Sequence, residues 1–342
     1  MALFTVTDFD RQFYKEKLQD FLPEKIIDVH THVWLKEMKA KKKEAVKRTV
    51  SWPSMVAADN SAEDLMETYK LMFPDKKVTP VIFTSAGMND DMDAMNAYIA
   101  ESSAKYGMPA LLYARPDWSQ EELAAKLDAF PWKGIKVYLN LSPIYIPEKE
   151  IRIFDFLTPA MLDVVAERKL AVMLHIPRDG RLKDPVNVCQ IQEICRRWPD
   201  VKLIIAHIGR AYCNCDVGDS IEILKKEERL MWDFAATSNA WVMEQLIRAV
   251  GPKRIMFGSD MPILRLRTRR IEENGKYINI VPKGVYGDVS ADSHMRESED
   301  EEFTFFMYRE IEAFRAAAEA TGLSRADIED VFCNNACRLF DL

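Results

Sequence analysis

A chain of 342 residues with 48% hydrophobic side chains can bury a large core, and barrels of alternating strand and helix are routinely built from roughly 250 residues. The net charge of −7 comes from 54 acidic and 47 basic residues of interspersed sign, which excludes the dominant basic face of a nucleic-acid-binding protein. No run of about 18 apolar residues occurs, and Met1 to Asp10 lack the basic start and apolar stretch of a secretory signal. A cytoplasmic protein with no membrane partner is therefore expected, its six cysteines reduced.

In chain order, Asp8–Leu22 reads as an amphipathic helix with Phe9, Phe13 and Leu18 at helical spacing, expected to cap a barrel floor. Eight apolar runs follow as candidate strands: Lys25–Val29, Val78–Thr84, Ala110–Ala114, Gly134–Leu139, Ala171–Leu174, Lys202–Ala206, Arg229–Phe234 and Arg254–Phe257. Their near-continuous hydrophobicity suits parallel strands covered by helices. Between them, Ser119–Phe130, Thr158–Arg168, Asn187–Trp198 and Ala240–Val250 carry helical patterns, and Ser119 with Glu122 makes a capping box. The basic run Lys36–Arg48 reads as a solvated helix face. After the eighth strand, Ile263–Glu302 forms a long insertion opening with Arg265, Arg267, Arg269 and Arg270, of which at least one is expected to meet substrate. With no internal repeat or low-complexity linker, residues 1–342 are read as one domain. The pattern predicts a (β/α)8 barrel, with an open doubly wound sheet as the alternative.

The chain has five histidines, and four of them end predicted strands: His30 and His32, His175, and His207. Asp260 follows the last strand. Residues two apart in a strand share a face, so His30 and His32 can converge on one ion. In a β/α barrel the C-terminal strand ends open on one face, which would bring all these groups together. Imidazoles with a carboxylate suit zinc, with manganese or iron possible. Trp34, Arg115, Asn140, Arg178 and Arg210 also follow strands and are candidates to grip substrate; the arginines point to a carboxylate. Surface salt bridges are an equal reading for each arginine. Asp233 is a candidate to orient a ligand histidine. Cys213-Asn214-Cys215 has no second cysteine pair nearby, His294 is expected at the surface, and no cysteine sits at a strand end, so thiol chemistry is not expected.

The set Ile27-Asp28-Val29-His30-Thr31-His32, Gly134-Ile135-Lys136-Val137, His175, Ala206-His207-Ile208-Gly209, Phe257-Gly258-Ser259-Asp260-Met261-Pro262 and Asn334 to Phe340 resembles the amidohydrolase superfamily. The resemblance is to the amidohydrolase-related branch that includes aminocarboxymuconate semialdehyde decarboxylase. It implies a distorted (β/α)8 barrel whose one divalent ion is held by His30, His32, His175 and Asp260. His207 would lie beside the ion as an acid–base group, and Asp260 would serve both as ligand and as proton acceptor. Superfamily members with two metals often use a carboxylated lysine on the fourth strand. Lys136 is the only lysine there and sits early in the strand, so one metal is expected, with a bridging Lys136 and two metals as the alternative; otherwise it reads as a lysine of the lower barrel paired with a neighbouring acid. The implied activity is hydrolysis of a small carboxylated molecule, with non-oxidative decarboxylation of an unsaturated or aromatic acid as the alternative. An inactive binding protein on the same fold is a third reading. A homo-oligomer is expected.

Overall fold

The computed structural model describes residues 3–40, 53–299 and 302–342. Eight short parallel strands form its centre: β1 (Lys25–His32), β2 (Lys77–Phe83), β3 (Leu111–Tyr113), β4 (Gly134–Val137), β5 (Ala171–Leu174), β6 (Lys202–Ile205), β7 (Met231–Asp233) and β8 (Ile255–Met256). β1 pairs with β2, and β3 to β8 form a continuous ladder in sequence order. Two seams join these sheets into a ring. A parallel bridge Ile82–Ala110 connects β2 to the start of β3. On the other side, Val29 N donates to Phe257 O (3.0 Å), Asp260 N to His30 O (2.8 Å) and His32 N to Met261 O (2.8 Å). The ring is a closed (β/α)8 barrel, and the doubly wound alternative falls away.

Apolar side chains of alternate strand positions fill the interior, among them Ile27, Val29, Val81, Phe83, Leu111, Met173, Ile204 and Met256. The C-terminal helix Asn335–Phe340 adds Ala336 and Phe340 to that same cluster. Lys202, which begins β6, donates to Leu339 O, so this helix plugs the N-terminal end of the barrel. The expected floor cap at the N-terminus is thus corrected. The segment Asp8–Leu18 forms a helix, but its Phe13 and Tyr14 pack on Tyr308 of the outer helix Phe306–Thr321. Its Asp10 is buried and takes two hydrogen bonds from Arg267, at 2.8 and 2.6 Å. The helix has an apolar face, but its aromatic residues fit the groove beside another helix, whereas the narrow barrel floor takes Ala and Phe.

The four expected helices are present as Gln120–Asp128, Pro159–Glu167, Pro185–Arg197 and Ala240–Val250. The first is capped by Ser119 and Glu122. Of the basic run at 36–48, Lys36–Met38 forms one 3-10 turn and positions 41–48 lie outside the described residues. The insertion after β8 is a small sheet rather than a loop. β9 (Arg269–Glu273) and β11 (Met295–Ser298) flank β10 (Lys276–Pro282), antiparallel and parallel respectively. No helix among the described residues is long and apolar enough to cross a membrane.

Candidate active site

β1 supplies two histidines because its register shifts between Asp28 and Thr31. Ile27 and Val29 pack into the barrel interior, and past the irregularity His30 and His32 turn toward the mouth. The approach of the β8 strand end is equally close. A Cβ on Gly258 would lie 2.8 Å from His30 Cβ, so only glycine lets the two segments meet.

Three of the four strand-end histidines have Nδ1 tied to an oxygen. His30 Nδ1 donates to Asp233 Oδ2 at 2.9 Å, His32 Nδ1 to Thr84 O at 3.2 Å, and His207 Nδ1 to Ala235 O at 3.0 Å. A carbonyl or carboxylate only accepts, so each ring carries its proton on Nδ1 and leaves a lone pair on Nε2. These lone pairs face Asp260: His32 Nε2 lies 3.1 Å and His30 Nε2 3.5 Å from Asp260 Oδ1. Acceptors at this distance repel unless a proton or a cation stands between them. His175 adds a buried Nδ1 that has no hydrogen-bond partner among the described residues, and its ring lies 5.1 Å from that of His207. The donor set fits a divalent cation. Among the described residues, ligand atoms of His30, His207 and Asp260 all lie within 4.8 Å of one another. Of the expected ligands, His30 and Asp260 belong to this cluster together with His207, while His32 and His175 do not.

Asp233 organises this arrangement. Its Oδ2 accepts from His30, while its Oδ1 accepts from His207 N (2.7 Å) and Ala235 N (3.1 Å). Burial pushes its carboxyl up, against the lowering effect of His207 and the backbone amides. Burial also drives the imidazoles toward neutrality: His30 and His175 fall well below the ordinary value and His207 falls to about 4, aided in each case by neighbouring positive groups. Burial raises Asp260, but the imidazoles of His32, His207 and His30 around it outweigh that effect and hold the carboxylate below its ordinary range.

The backbone is strained at the same places. His207, Ile208, Gly209 and Arg210 have φ of 58°, 48°, 60° and 60°, and Ala236 and Asp260 have 55° and 56°. Non-glycine residues in this region cost roughly 1–3 kcal/mol each, so the surrounding contacts must hold them there.

Of the expected substrate contacts, Trp34 and Arg210 reach the site. Trp34 is buried 6.5 Å from the His32 ring, its indole donating to Ala58 O. Arg210 Nη1 donates to the carbonyl of Pro177 at 2.7 Å; burial lowers His175 with help from the Arg210 charge, and burial raises Tyr138 and Tyr212 against that same charge. Arg115 is instead paired with Asp117 through two bonds, and Arg178 with Asp184. Asn140 donates to Ala86 O and keeps its own carbonyl buried and unpaired. Of the insertion arginines, Arg267 serves the N-terminal helix, Arg269 is exposed, and Arg265 is buried beside Phe4. His294, expected at the surface, is stacked on Tyr277.

Lys136 departs from expectation. β4 ends at Val137, so Lys136 lies next to the strand's top end and not low in the barrel. Its ammonium is buried without a hydrogen-bond partner, 5.5 Å from the Phe83 ring, and burial brings its pKa down to about 8 against the pull of Asp233 and Asp260. Among the described residues no acid forms the expected ion pair with it. Sequence reasoning missed Tyr138, whose ring lies 4.6 Å from His175. Its position two residues after Lys136 was the available signal. It also missed Glu310, a fully buried carboxyl beside the backbone of Ala236.

A family profile described as Amidohydrolase matches residues 27–277, which span every strand of the barrel. The chain belongs to the amidohydrolase family. Solved structures agree on the fold. An amidohydrolase from Burkholderia multivorans with bound zinc is similar at a TM-score of 0.59 and 13% identity, covering 93% of this chain and 99% of that one. A 2,6-dihydroxybenzoate decarboxylase from Rhizobium gives 0.53 and 14%, over 93% and 99%. A structure described as a probable 2-pyrone-4,6-dicarboxylic acid hydrolase from Acinetobacter baumannii gives 0.54 and 14%, also over 93% and 99%. A comparison with curated proteins finds no match. In this amidohydrolase the matched region ends inside β10, so the rest of the insertion sheet and the outer helix Phe306–Thr321 lie outside the matched residues.

Proposed function

We propose that this amidohydrolase is a hydrolase of a small carboxylated substrate, using one divalent ion, zinc foremost, held by His30, His32, His175 and Asp260. The observation that carries the reading is the set of histidines whose Nδ1 protons are tied away from the mouth, leaving Nε2 lone pairs beside Asp260. When bound, the ion would polarise a substrate carbonyl and acidify water. The remaining work falls to the chain. His207, neutral and fixed as the Nδ1–H tautomer, presents Nε2 to accept a proton from water or to orient it. Among the described residues the hydrogen bonds of Arg210 run from Nη1, and the rest of its fork can take one carboxylate of the substrate. Trp34, Phe83 and Tyr138 wall the site and exclude bulk water.

Those walls also favour a second reading, decarboxylation. Aromatic faces around a buried site suit a flat, unsaturated acid, and a dry environment disfavours the carboxylate charge that is lost. The Rhizobium decarboxylase named above shows that the same fold hosts such chemistry.

The test has two parts. Incubating the purified protein with a panel of carboxylated esters, lactones and aromatic acids while following acid release and CO2 separates the two reactions; neither product with any compound, in protein carrying metal, would favour an inactive binder. Metal content then assigns His207. His207→Ala should keep the ion and lower turnover by roughly 10²–10⁴-fold. Loss of the ion to the extent seen with His175→Ala would make His207 a ligand. Two ions per chain would overturn the single-ion reading.

A further inference from the structure

One side chain of the insertion sheet reaches back to the barrel. Arg270, on β9, lies with its guanidinium 4.9 Å from the Tyr212 ring, 4.5 Å from Tyr277 and 4.3 Å from Phe306. Within this aromatic box its Nε donates to Asn279 Oδ1 at 2.8 Å and its Nη1 to the carbonyl of Ala236 at 2.5 Å. Ala236 is the left-handed residue of the turn after β7, with φ of 55°. The carbonyl one residue earlier, that of Ala235, is the one that accepts His207 Nδ1. The amide of Ala235 donates to Asp233, which also holds His207 N and His30.

Two peptide planes meet at Ala236. Arg270 fixes the second, and the direction of the first follows from the unfavourable backbone angle that this anchor maintains. We propose that Arg270 is a positioning residue for His207: it holds the turn after β7 so that the Ala235 carbonyl keeps the imidazole as the Nδ1–H tautomer. The guanidinium is suited to this because its planar fork binds Asn279 and Ala236 at once while its face stacks on tyrosine, which an ammonium cannot do. The insertion sheet thereby acts on the site through the backbone. The inference builds on the reading of His207 as the acid–base group, but its test uses no turnover.

The chain's five histidines make the test direct. Protein labelled with ¹⁵N-histidine gives imidazole signals assignable through His207→Gln and His32→Gln. In the wild type the Nδ1–H of both residues should be protected from solvent exchange. In Arg270→Ala and Arg270→Lys the His207 Nδ1–H should exchange about tenfold faster or be lost, as expected on weakening one hydrogen bond to a charged group's turn. His32, whose Nδ1–H goes to Thr84 O just past the end of β2, should stay within about twofold as the internal control. The lysine variant keeps the charge and serves if the alanine variant does not fold. An unchanged His207 signal in the folded variants would overturn the proposal. So would His32 and His207 moving together, which would mean general loosening.

Discussion

Replacing Asp233 by Asn tests the site at its organising residue while changing almost no volume. The aspartate makes three bonds, to His207 N at 2.7 Å, Ala235 N at 3.1 Å and His30 Nδ1 at 2.9 Å. In Asp233→Asn the amide oxygen can keep both backbone donors, which turns the NH2 toward His30 Nδ1. Two donors cannot share that bond, so His30 must move its proton to Nε2. That nitrogen lies 3.5 Å from Asp260 Oδ1, and the protonated form would hydrogen-bond to the carboxylate instead of offering a lone pair. Partners of this kind are worth about 10–100-fold in metal affinity, or roughly 1.4–2.7 kcal/mol. Because both backbone bonds survive, the metal-free protein should lose at most about 1 kcal/mol. Competition against a chelator measures the affinity, and thermal unfolding of the stripped protein measures the second quantity. Asp233→Ala, which strands two buried amides, should cost roughly 2–6 kcal/mol in the stripped protein. If Asp233→Asn is folded and binds the ion within twofold of the wild type, the tautomer argument is wrong.

Glu310 should make stability pH-dependent. Burial first, then the nearby Asp28, Asp233 and Asp260, raise its pKa well above 4.5, so the folded chain keeps a proton that the unfolded chain releases. Its favourable contribution is complete below pH 4.5 and is lost as pH rises, so Glu310→Gln should gain in Tm over the wild type progressively from there to neutral pH; a Tm difference that does not change with pH would contradict this. Gly258→Ala should disturb the metal shell directly, because the new methyl meets His30 Cβ at 2.8 Å, an atom with no rotamer to yield. A cost of about 1–3 kcal/mol in Tm-derived stability and a weaker ion are expected, and a variant with unchanged metal affinity would show that His30 can move away freely.

The barrel was legible because its strands are buried on both faces and read as short apolar runs; Ala171–Leu174 has the bounds the pattern implies. β1 was cut short at Val29 because His30 and His32 are polar by composition although buried in the fold. β9 to β11 were read as a loop, since their charged residues hide a partly exposed sheet. Strand ends named the histidines and Asp260, but pairing partners lie outside what spacing encodes. Arg178 was open between substrate and a salt bridge, and its partner proves to be Asp184, six residues on. Lys136 was misplaced by the two apolar residues that continue its run past Val137, where a 3-10 turn begins at Leu139. Glu310 gave no signal at all, because one acid in an amphipathic helix looks like any solvated residue.

The seam between β1 and the end of β8 has a bearing on how the chain assembles. The histidines of β1 lie on one lip of that seam and Asp260 on the other, 228 positions apart between His32 and Asp260. β8 itself has two residues, so few ladder bonds close the ring there. An ion shared across the gap would work as a clasp between the earliest and latest parts of the barrel. It could be captured only after nearly the whole chain has been laid down and folded round, and once captured it would oppose reopening along that line. Loading the cofactor and completing the cylinder would then be a single event, and apo protein should open first at this join.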